Sequence, residues 1–306
     1  MEDIYLGKNS TIFTILFISI IFTVIGIFFS KGKTSINSYI VADRSLGSKS
    51  LTASLVASCF GLWILIGPSE AATWGGLGAI IGYALGQATP FLAFIFIGKR
   101  MRQIMPNGNS LTQFVFVRFG NGLFKLVLFL SLFYLFVYLC AEVTAIAKII
   151  NLISNIPLWQ TSMFIILSTL AYTLYGGLVA SIFTDRLQFL IIIILLLVSI
   201  NQIFISESSS FDINTIKDKA GFLISGKYFY GYTAGITFFI AVFATNLFDQ
   251  GIWQRVYAAR SDKDLIKGLI STFFVVVPFL LVLGFFGIVA VVTGNNEDTS
   301  TVFFSL

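Results

Sequence analysis

Residues 57–68 read ASCFGLWILIGP, so Gly61, Gly67 and Pro68 interrupt an apolar stretch that runs from about residue 50 to residue 74. A proline removes a backbone donor, and its ring clashes with the preceding helical turn. Inside a membrane, a broken helix is tolerated only where its backbone is buried in protein or lines a water-filled cavity. The stretch therefore predicts a helix interrupted in mid-membrane, either as a simple kink or as a break at a binding site.

The composition is that of a membrane protein. Of 306 residues, 57% are hydrophobic and only 11% are charged, whereas a soluble domain has about 25% charged residues. The chain has no histidine, which removes the commonest catalytic base and zinc ligand, and its two cysteines indicate no disulfide framework. This composition excludes a soluble enzyme, a disordered chain and a nucleic-acid binder, and we expect no enzymatic activity.

Several stretches are long and apolar enough to cross a bilayer as helices, which takes about 20 residues each. They are residues 11–30, 50–74, 77–97, 124–147, 161–181, 186–206, 232–250 and 268–293. Of the 19 Lys and Arg residues, 14 fall in the predicted loops 31–49, 98–125, 182–188 and 251–267. Because cytoplasmic loops carry an excess of basic residues, this bias predicts a multi-pass protein of the cell (inner) membrane with its N-terminus outside.

Glycines follow one face of the third predicted span. Gly78, Gly82 and Gly86 recur at every fourth position. Small residues at this spacing allow two helix backbones to approach closely. We expect the stripe to serve packing rather than chemistry.

Carboxylates inside the apolar spans are functional candidates, because a charge at membrane depth costs several kcal/mol. Glu142 follows Tyr138 by one helical turn and faces the same side, so a structural hydrogen bond and a solute contact are both open for it. Glu70 fits a solvated position near the outer end of its span. For Asp249, an ion pair with the nearby Arg255 is the favoured interpretation.

Thr184 and Asp185 stand at the predicted start of the sixth span, after the Gly176–Gly177 pair. Hydroxyl and carboxylate oxygens are ligands for hard cations such as sodium. The same two residues could instead cap the helix and complement its positive end. Both roles can hold together.

Sequence blocks with the spacing of a known family occur in order along nearly the whole chain. They are SYIVADRSLG at 38–47, ASCFGLW at 57–63, a Gly-Gly-Leu…Thr-Asp-x-x-Gln pattern within 172–188, and QRVYAARS at 254–261. Together they resemble the sodium:solute symporter family, which includes proline, pantothenate, sialic acid and sodium/sugar cotransporters.

The resemblance implies an all-α, multi-pass membrane protein with the LeuT-type inverted-repeat fold. One leading helix would precede a complete first five-helix repeat and the start of a second repeat, so we expect three further helices beyond residue 306. Residues 1–306 would form one transporter domain, incomplete at its C-terminal side. Solute would bind near the membrane midplane, between the broken first helices of the two repeats.

The resemblance also implies a function. It is sodium-coupled uptake of a small polar organic solute, such as proline or a carboxylate, by alternating access. Na⁺ would be the co-transported ion, and the partners would be the solute and the lipid bilayer, with no nucleic acid. Urea is an alternative, because residues 249–254 (DQGIWQ) look like the urea-transporting branch. A transporter-like sensor module of a signalling receptor is an alternative of another class.

Residue roles carried over from the family complete the prediction. Backbone carbonyls of Ala57 and Phe60 would bind sodium, and Thr184 and Asp185 would add side-chain oxygens. Cys59 replaces a carboxylate of the proline symporter, and apolar residues replace sugar-binding positions at Ile64 and Val242, which disfavours a sugar. The predicted solute contacts are Gly61, Trp63, Ile64, Tyr83, Tyr138, Glu142, Val242, Thr245 and Asn246, and the predicted coupling residues are Arg44, Gly67 and Pro68.

Overall fold

A computed structural model describes residues 7–32, 35–206, 212–295 and 297–304, and the described chain is almost entirely helical. Short 3₁₀ turns cover Ala42–Arg44 and Thr299–Phe304. The α-helices are α1 (Lys8–Ser30), α2 (Ile36–Val41), α3 (Ser48–Cys59), α4 (Trp63–Ile104), α5 (Leu111–Ser154), α6 (Leu158–Ser206), α7 (Ile213–Ile224), α8 (Phe229–Phe248), α9 (Gln250–Ala258) and α10 (Asp262–Thr293).

Within the described residues, 6 helices are long and apolar enough to cross a membrane: α1, α4, α5, α6, α8 and α10. Three of them contain a glycine in the left-handed region, Gly76 (φ 57°), Gly120 (φ 79°) and Gly177 (φ 54°). The chain changes direction there without leaving the long helix. For this reason α4 holds the end of the second predicted span and all of the third, and α6 holds the fifth and sixth.

The change of direction in α6 corrects one prediction. Thr184 and Asp185 do not start a helix, because both lie in the continuous part of α6, and the Thr184 hydroxyl donates to the carbonyls of Ala180 and Ser181. The turn lies seven residues earlier, at Gly177. There the backbone of Tyr39 packs so closely against Gly177 that no Cβ would fit.

A second break separates α8 from α9. The backbone of Asp249 is extended (φ −66°, ψ 115°), and its carboxylate accepts a hydrogen bond from the N–H of Ile252 at 2.8 Å. Asp249 therefore caps the N-terminus of α9, the usual task of an aspartate at that position. Together with the gap between α3 and α4, it gives the fold two interrupted helices.

The glycine stripe of α4 serves packing, as predicted, and its partners are glycines of α8. A Cβ on Gly78 would collide with the carbonyl of Gly231, and a Cβ on Gly82 would collide with the carbonyl of Gly235. The two backbones are in direct contact, which the absence of side chains permits. This contact joins the part of α4 that follows the Gly76 turn to the first half of the second interrupted helix.

Loops rich in Lys and Arg meet at one end of the helix bundle, which we call the basic end. Leu46, before α3, pairs with the segment after α9: its N–H donates to Ala258 at 3.0 Å, and its carbonyl accepts from Arg260 at 2.8 Å. Beneath this pairing lies the main apolar core, where fully buried side chains of α3, α4, α9 and α10 meet, among them Leu55, Phe94, Tyr257 and Leu269.

Candidate functional site

The first interrupted helix breaks at residues 60–62, within the stretch predicted to be interrupted, while Gly67 and Pro68 lie inside the helical part of α4. α3 ends as Phe60 leaves helical geometry (φ −96°, ψ 54°), with its N–H bonded to Val56 at 2.9 Å, and α4 begins at Trp63. The last carbonyls of a helix lack partners within it. The hydrogen bonds of the described chain leave the carbonyls of Ala57 and Phe60 free. These are the two backbone oxygens named above for sodium.

Glu142 of α5 lies against the break. An added Cβ on Gly61 would stand 2.6 Å from the Glu142 carboxyl carbon, so a side chain at Gly61 would displace the carboxylate. The carboxylate lies beside the N–H groups of Leu62 and Trp63 and beside the Tyr138 hydroxyl. Its Oε1 is shielded from solvent and has no hydrogen-bond partner in the described chain. The structure thus joins three predicted solute contacts: Gly61, Tyr138 and Glu142.

Two aromatic residues of α4, Trp63 and Tyr83, lie on another side of the candidate site. The Trp63 indole N–H donates to the Tyr83 hydroxyl at 2.5 Å, with Tyr83 buried and Trp63 41% exposed. Gly67 makes this contact possible, because a Cβ there would stand 2.8 Å from the Tyr83 oxygen. Ile64 and Pro68 are buried on the same helix. In this conformation Gly67 serves the packing of Tyr83, while its predicted coupling role stays a prediction.

The α8 side of the site centres on Asn246. Its amide donates to the Gln87 side chain at 3.2 Å, and Gln87 reaches back to Asn246 at 3.5 Å. Val242 is half-buried, and the exposed Thr245 hydroxyl donates to the Val242 carbonyl. Sequence reasoning missed Gln87, although a lone amide in an apolar span was a usable signal. The pair links α8 to the part of α4 that follows the Gly76 turn.

Asp185 lies in a different environment from the one predicted. Its Oδ2 is 2.8 Å from Nη2 of Arg255 and accepts from the Ser54 hydroxyl at 2.5 Å, while Arg255 Nε donates to Ser54 at 2.7 Å. All three side chains are buried. The predicted Asp249–Arg255 ion pair is wrong, because the Asp249 carboxylate caps α9 and Arg255 turns to α3 and α6. Ser54 stands one helical turn before Ala57, so this buried triad adjoins the break.

The four predicted sodium ligands therefore lie in two different environments, the break and the interior of α6. Ala57 and Phe60 offer carbonyls at the break, whereas Asp185 is neutralised by Arg255 and the Thr184 hydroxyl is bonded within α6. Among the described residues there is no group of three or more His, Cys, Asp or Glu that could hold a metal ion. Any cation bound here would depend on backbone carbonyls and hydroxyls.

Arg44 ties together the loops of the basic end. Its guanidinium donates to the carbonyl of Tyr257 at 3.1 Å, to the carbonyl of Gly108 at 2.8 Å and to Asn109 Oδ1 at 3.3 Å. Burial lowers the pKa of Arg44, and the neighbouring Tyr257 opposes that shift. Arg44 has a φ of 52°, and Ala42 and Asp43 are also left-handed. A strained turn therefore places the guanidinium between three segments.

Known proteins share both the sequence and the fold. The chain is 27% identical over 289 residues to the spermidine transporter DUR31 of Candida albicans, covering 92% of this chain and 54% of that protein. It is 27% identical over 246 residues to the sodium/proline symporter of Haemophilus influenzae, covering 76% of this chain and 48% of that protein. The chain thus spans about half the length of these curated relatives.

The fold matches that of a solved structure, a Na⁺-coupled sialic acid symporter in its substrate-bound, outward-open state. The TM-score is 0.75 at 18% identity, covering 95% of this chain and 64% of that one. The likeness confirms the expected fold class, an all-α multi-pass membrane protein of the LeuT type. A model of the sodium:solute symporter family matches residues 39–301. With the interrupted helices and the sequence blocks in their expected order, the chain belongs to the sodium:solute symporter family.

Proposed function

We propose that this protein is a secondary active transporter, not an enzyme, that uses the inward Na⁺ gradient to take up a small polar organic solute by alternating access. The observation that carries the proposal is the break between Cys59 and Trp63, where the carbonyls of Ala57 and Phe60 are free. Sodium prefers oxygen ligands, and unwound backbone in mid-membrane supplies them without a buried charge. Family membership supports the same function.

The energetics suffice for uptake. Moving one positive charge inward across 100 mV provides about 2.3 kcal/mol. Since 1.4 kcal/mol corresponds to a factor of ten in concentration, one sodium ion per solute can concentrate the solute more than tenfold.

The proposed location is the cell (inner) membrane, with the basic end in the cytoplasm and the N-terminus outside. The excess of Lys and Arg at this end supports that orientation. Arg44 and the Asp185–Arg255 pair join the segments there, so the proposed conformation is closed on the cytoplasmic side. Alternating access then requires these contacts to open.

The proposed solute contacts are those at the break. Gly61 and Glu142 adjoin it, Trp63, Tyr83 and Tyr138 supply aromatic walls, and Asn246 with Gln87 supplies amides. Such a site suits a small nitrogen-containing solute, for example an amino acid such as proline. The partners are this solute and the bilayer.

Uptake into proteoliposomes tests the function. The full-length protein would be reconstituted and supplied with labelled proline and labelled spermidine, the solutes in the names of two relatives. We expect several-fold faster uptake of a transported solute under an inward sodium gradient than under an equal potassium gradient, and no stimulation once gramicidin dissipates the gradient. Equal uptake under both ions would reject sodium coupling.

A further inference from the structure

Glu142 is a carboxylate of the membrane-spanning helix α5 that makes no ion pair with a described residue. The ion pairs in the described part of the chain join Arg102 with Asp262, Lys148 with Asp298, Arg255 with Asp185, and Arg260 with Asp264. Glu142 belongs to none of them, and its Oε1 is both shielded from solvent and unbonded in the described chain. A carboxylate at membrane depth with a shielded and unbonded oxygen is costly unless something pairs with it.

The Glu142 side chain packs against the break between α3 and α4. Its carboxyl group occupies the space that a side chain at Gly61 would need. The backbone N–H groups of Leu62 and Trp63 lie beside it. These N–H groups leave Oε1 without a bond. The carboxylate is therefore held in place, and its Oε1 atom is still available to accept a hydrogen bond.

The surroundings of this acceptor are aromatic. Tyr138 stands beside the carboxylate, and Tyr83, which is hydrogen-bonded to Trp63, is also an electrostatic neighbour of it. Aromatic rings attract organic cations through their π faces. A metal ion would need several oxygen ligands, and the described chain has no cluster of three or more acidic or thiol side chains. The combination suits an organic ammonium group better than a metal ion.

Among the described residues, no basic side chain forms an ion pair with Glu142. The groups beside Glu142 are the backbone of Leu62 and Trp63 and the Tyr138 hydroxyl, and those near Tyr138 are carboxylates, a thiol and another tyrosine. We propose that the transported solute carries a protonated amine, and that Glu142 pairs with it at the break of the first interrupted helix. This inference rests on the proposed transport function and narrows the solute to cationic amines.

The experiment measures uptake of labelled 1,4-diaminobutane by proteoliposomes containing the full-length protein. We expect Glu142→Gln to lower the initial rate at least tenfold, because it removes the charge but keeps the size. Glu142→Asp, which keeps the charge but withdraws it by one methylene, should raise KM several-fold with little change in kcat. Asp298→Asn is the matched control, since Asp298 already pairs with Lys148 at 3.1 Å, and it should retain the wild-type rate.

A second measurement keeps the test decisive if Glu142→Gln folds poorly. Equilibrium binding of labelled 1,4-diaminobutane to the detergent-solubilised protein would be measured by a scintillation proximity assay. We expect at least fivefold weaker binding to Glu142→Asp than to wild type and unchanged binding to Asp298→Asn.

Opposite results separate the two proposals. The amine inference is overturned if Glu142→Gln takes up the diamine within twofold of the wild-type rate, or if labelled urea enters under a sodium gradient and excess diamine does not slow it. Sodium coupling alone is overturned if diamine uptake depends on Glu142 but is equal in sodium and potassium.

Discussion

The Asp185 carboxylate and the Arg255 guanidinium form a buried ion pair, with 2.8 Å between Oδ2 and Nη2, although 70 residues separate them in the chain. Asp185 comes from α6 and Arg255 from the second interrupted helix. Ser54, on the first interrupted helix, bonds to both. One polar cluster thus joins α3, α6 and α9, and the guanidinium occupies the carboxylate that the sequence predicts as a sodium ligand.

Removing one partner of this pair should destabilise the protein. Asp185→Asn would leave the Arg255 charge buried without a counter-ion, which costs about 3–5 kcal/mol in comparable cases. The double variant Asp185→Asn/Arg255→Gln removes both charges and should recover much of that loss. Thermal unfolding in detergent, read by size-exclusion chromatography of heated samples, would compare them. If the single variant unfolds no earlier than the wild type, the pair does not stabilise this conformation.

The same double variant tests the predicted sodium role of Asp185. If Asp185 binds sodium once Arg255 moves away, the double variant should be stable and yet lose sodium stimulation of uptake. Proteoliposome uptake under sodium and potassium gradients measures this, with Arg255→Gln as the companion that keeps the carboxylate. Full sodium stimulation in the double variant would restrict the ion to the carbonyls of Ala57 and Phe60.

Close packing between α4 and α8 should be intolerant of a single methyl group. Gly82→Ala would direct its Cβ into the carbonyl of Gly235, so the helices must separate, at a cost of about 1–3 kcal/mol. Gly122→Ala is the matched control, because nothing lies within 4 Å of a Cβ there. The melting temperatures of the two variants in detergent should differ, with Gly82→Ala the lower. Equal melting temperatures would mean that α4 and α8 do not touch at these glycines.

Local signals made the interrupted helix predictable. Gly61 lies at the break itself, whereas Gly67 and Pro68, which also predicted an interruption, lie inside the helical part of α4. The glycine stripe on α4 needs only helical spacing. The resemblance to the family supplied the inverted-repeat architecture, which hydrophobic spans alone do not specify.

Tertiary partners were not predictable in the same way. Arg255 was expected to pair with its sequence neighbour Asp249, but Asp249 is already engaged by the N-terminus of α9, and the fold brings Asp185 to Arg255 instead. The turn in α6 was expected near Thr184, because its hydroxyl can cap a helix. It occurs at Gly177, where contact with Tyr39 excludes a side chain, and only the packed structure contains that contact.

Arg44 should control access to the site from the basic end. Its planar guanidinium serves acceptors on Tyr257, Gly108 and Asn109 at once, and the compact ammonium of Arg44→Lys cannot span all three. Each hydrogen bond to a charged group contributes about 1.5–3 kcal/mol. Losing even one of these bonds should increase the population open at this end about tenfold or more.

The thiol of Cys59 reports that opening, because it is 8% exposed and lies at the end of α3, next to the break. In a Cys140→Ser background, which removes the other free and exposed cysteine, alkylation of Cys59 by N-ethylmaleimide should be slow in the parent protein and about tenfold faster in Arg44→Lys. Arg118→Lys, a change at an exposed arginine of α5, should leave the rate unchanged. If Arg44→Lys is alkylated no faster than Arg118→Lys, the guanidinium does not hold the basic end closed, and its left-handed turn serves only the local fold of the loop.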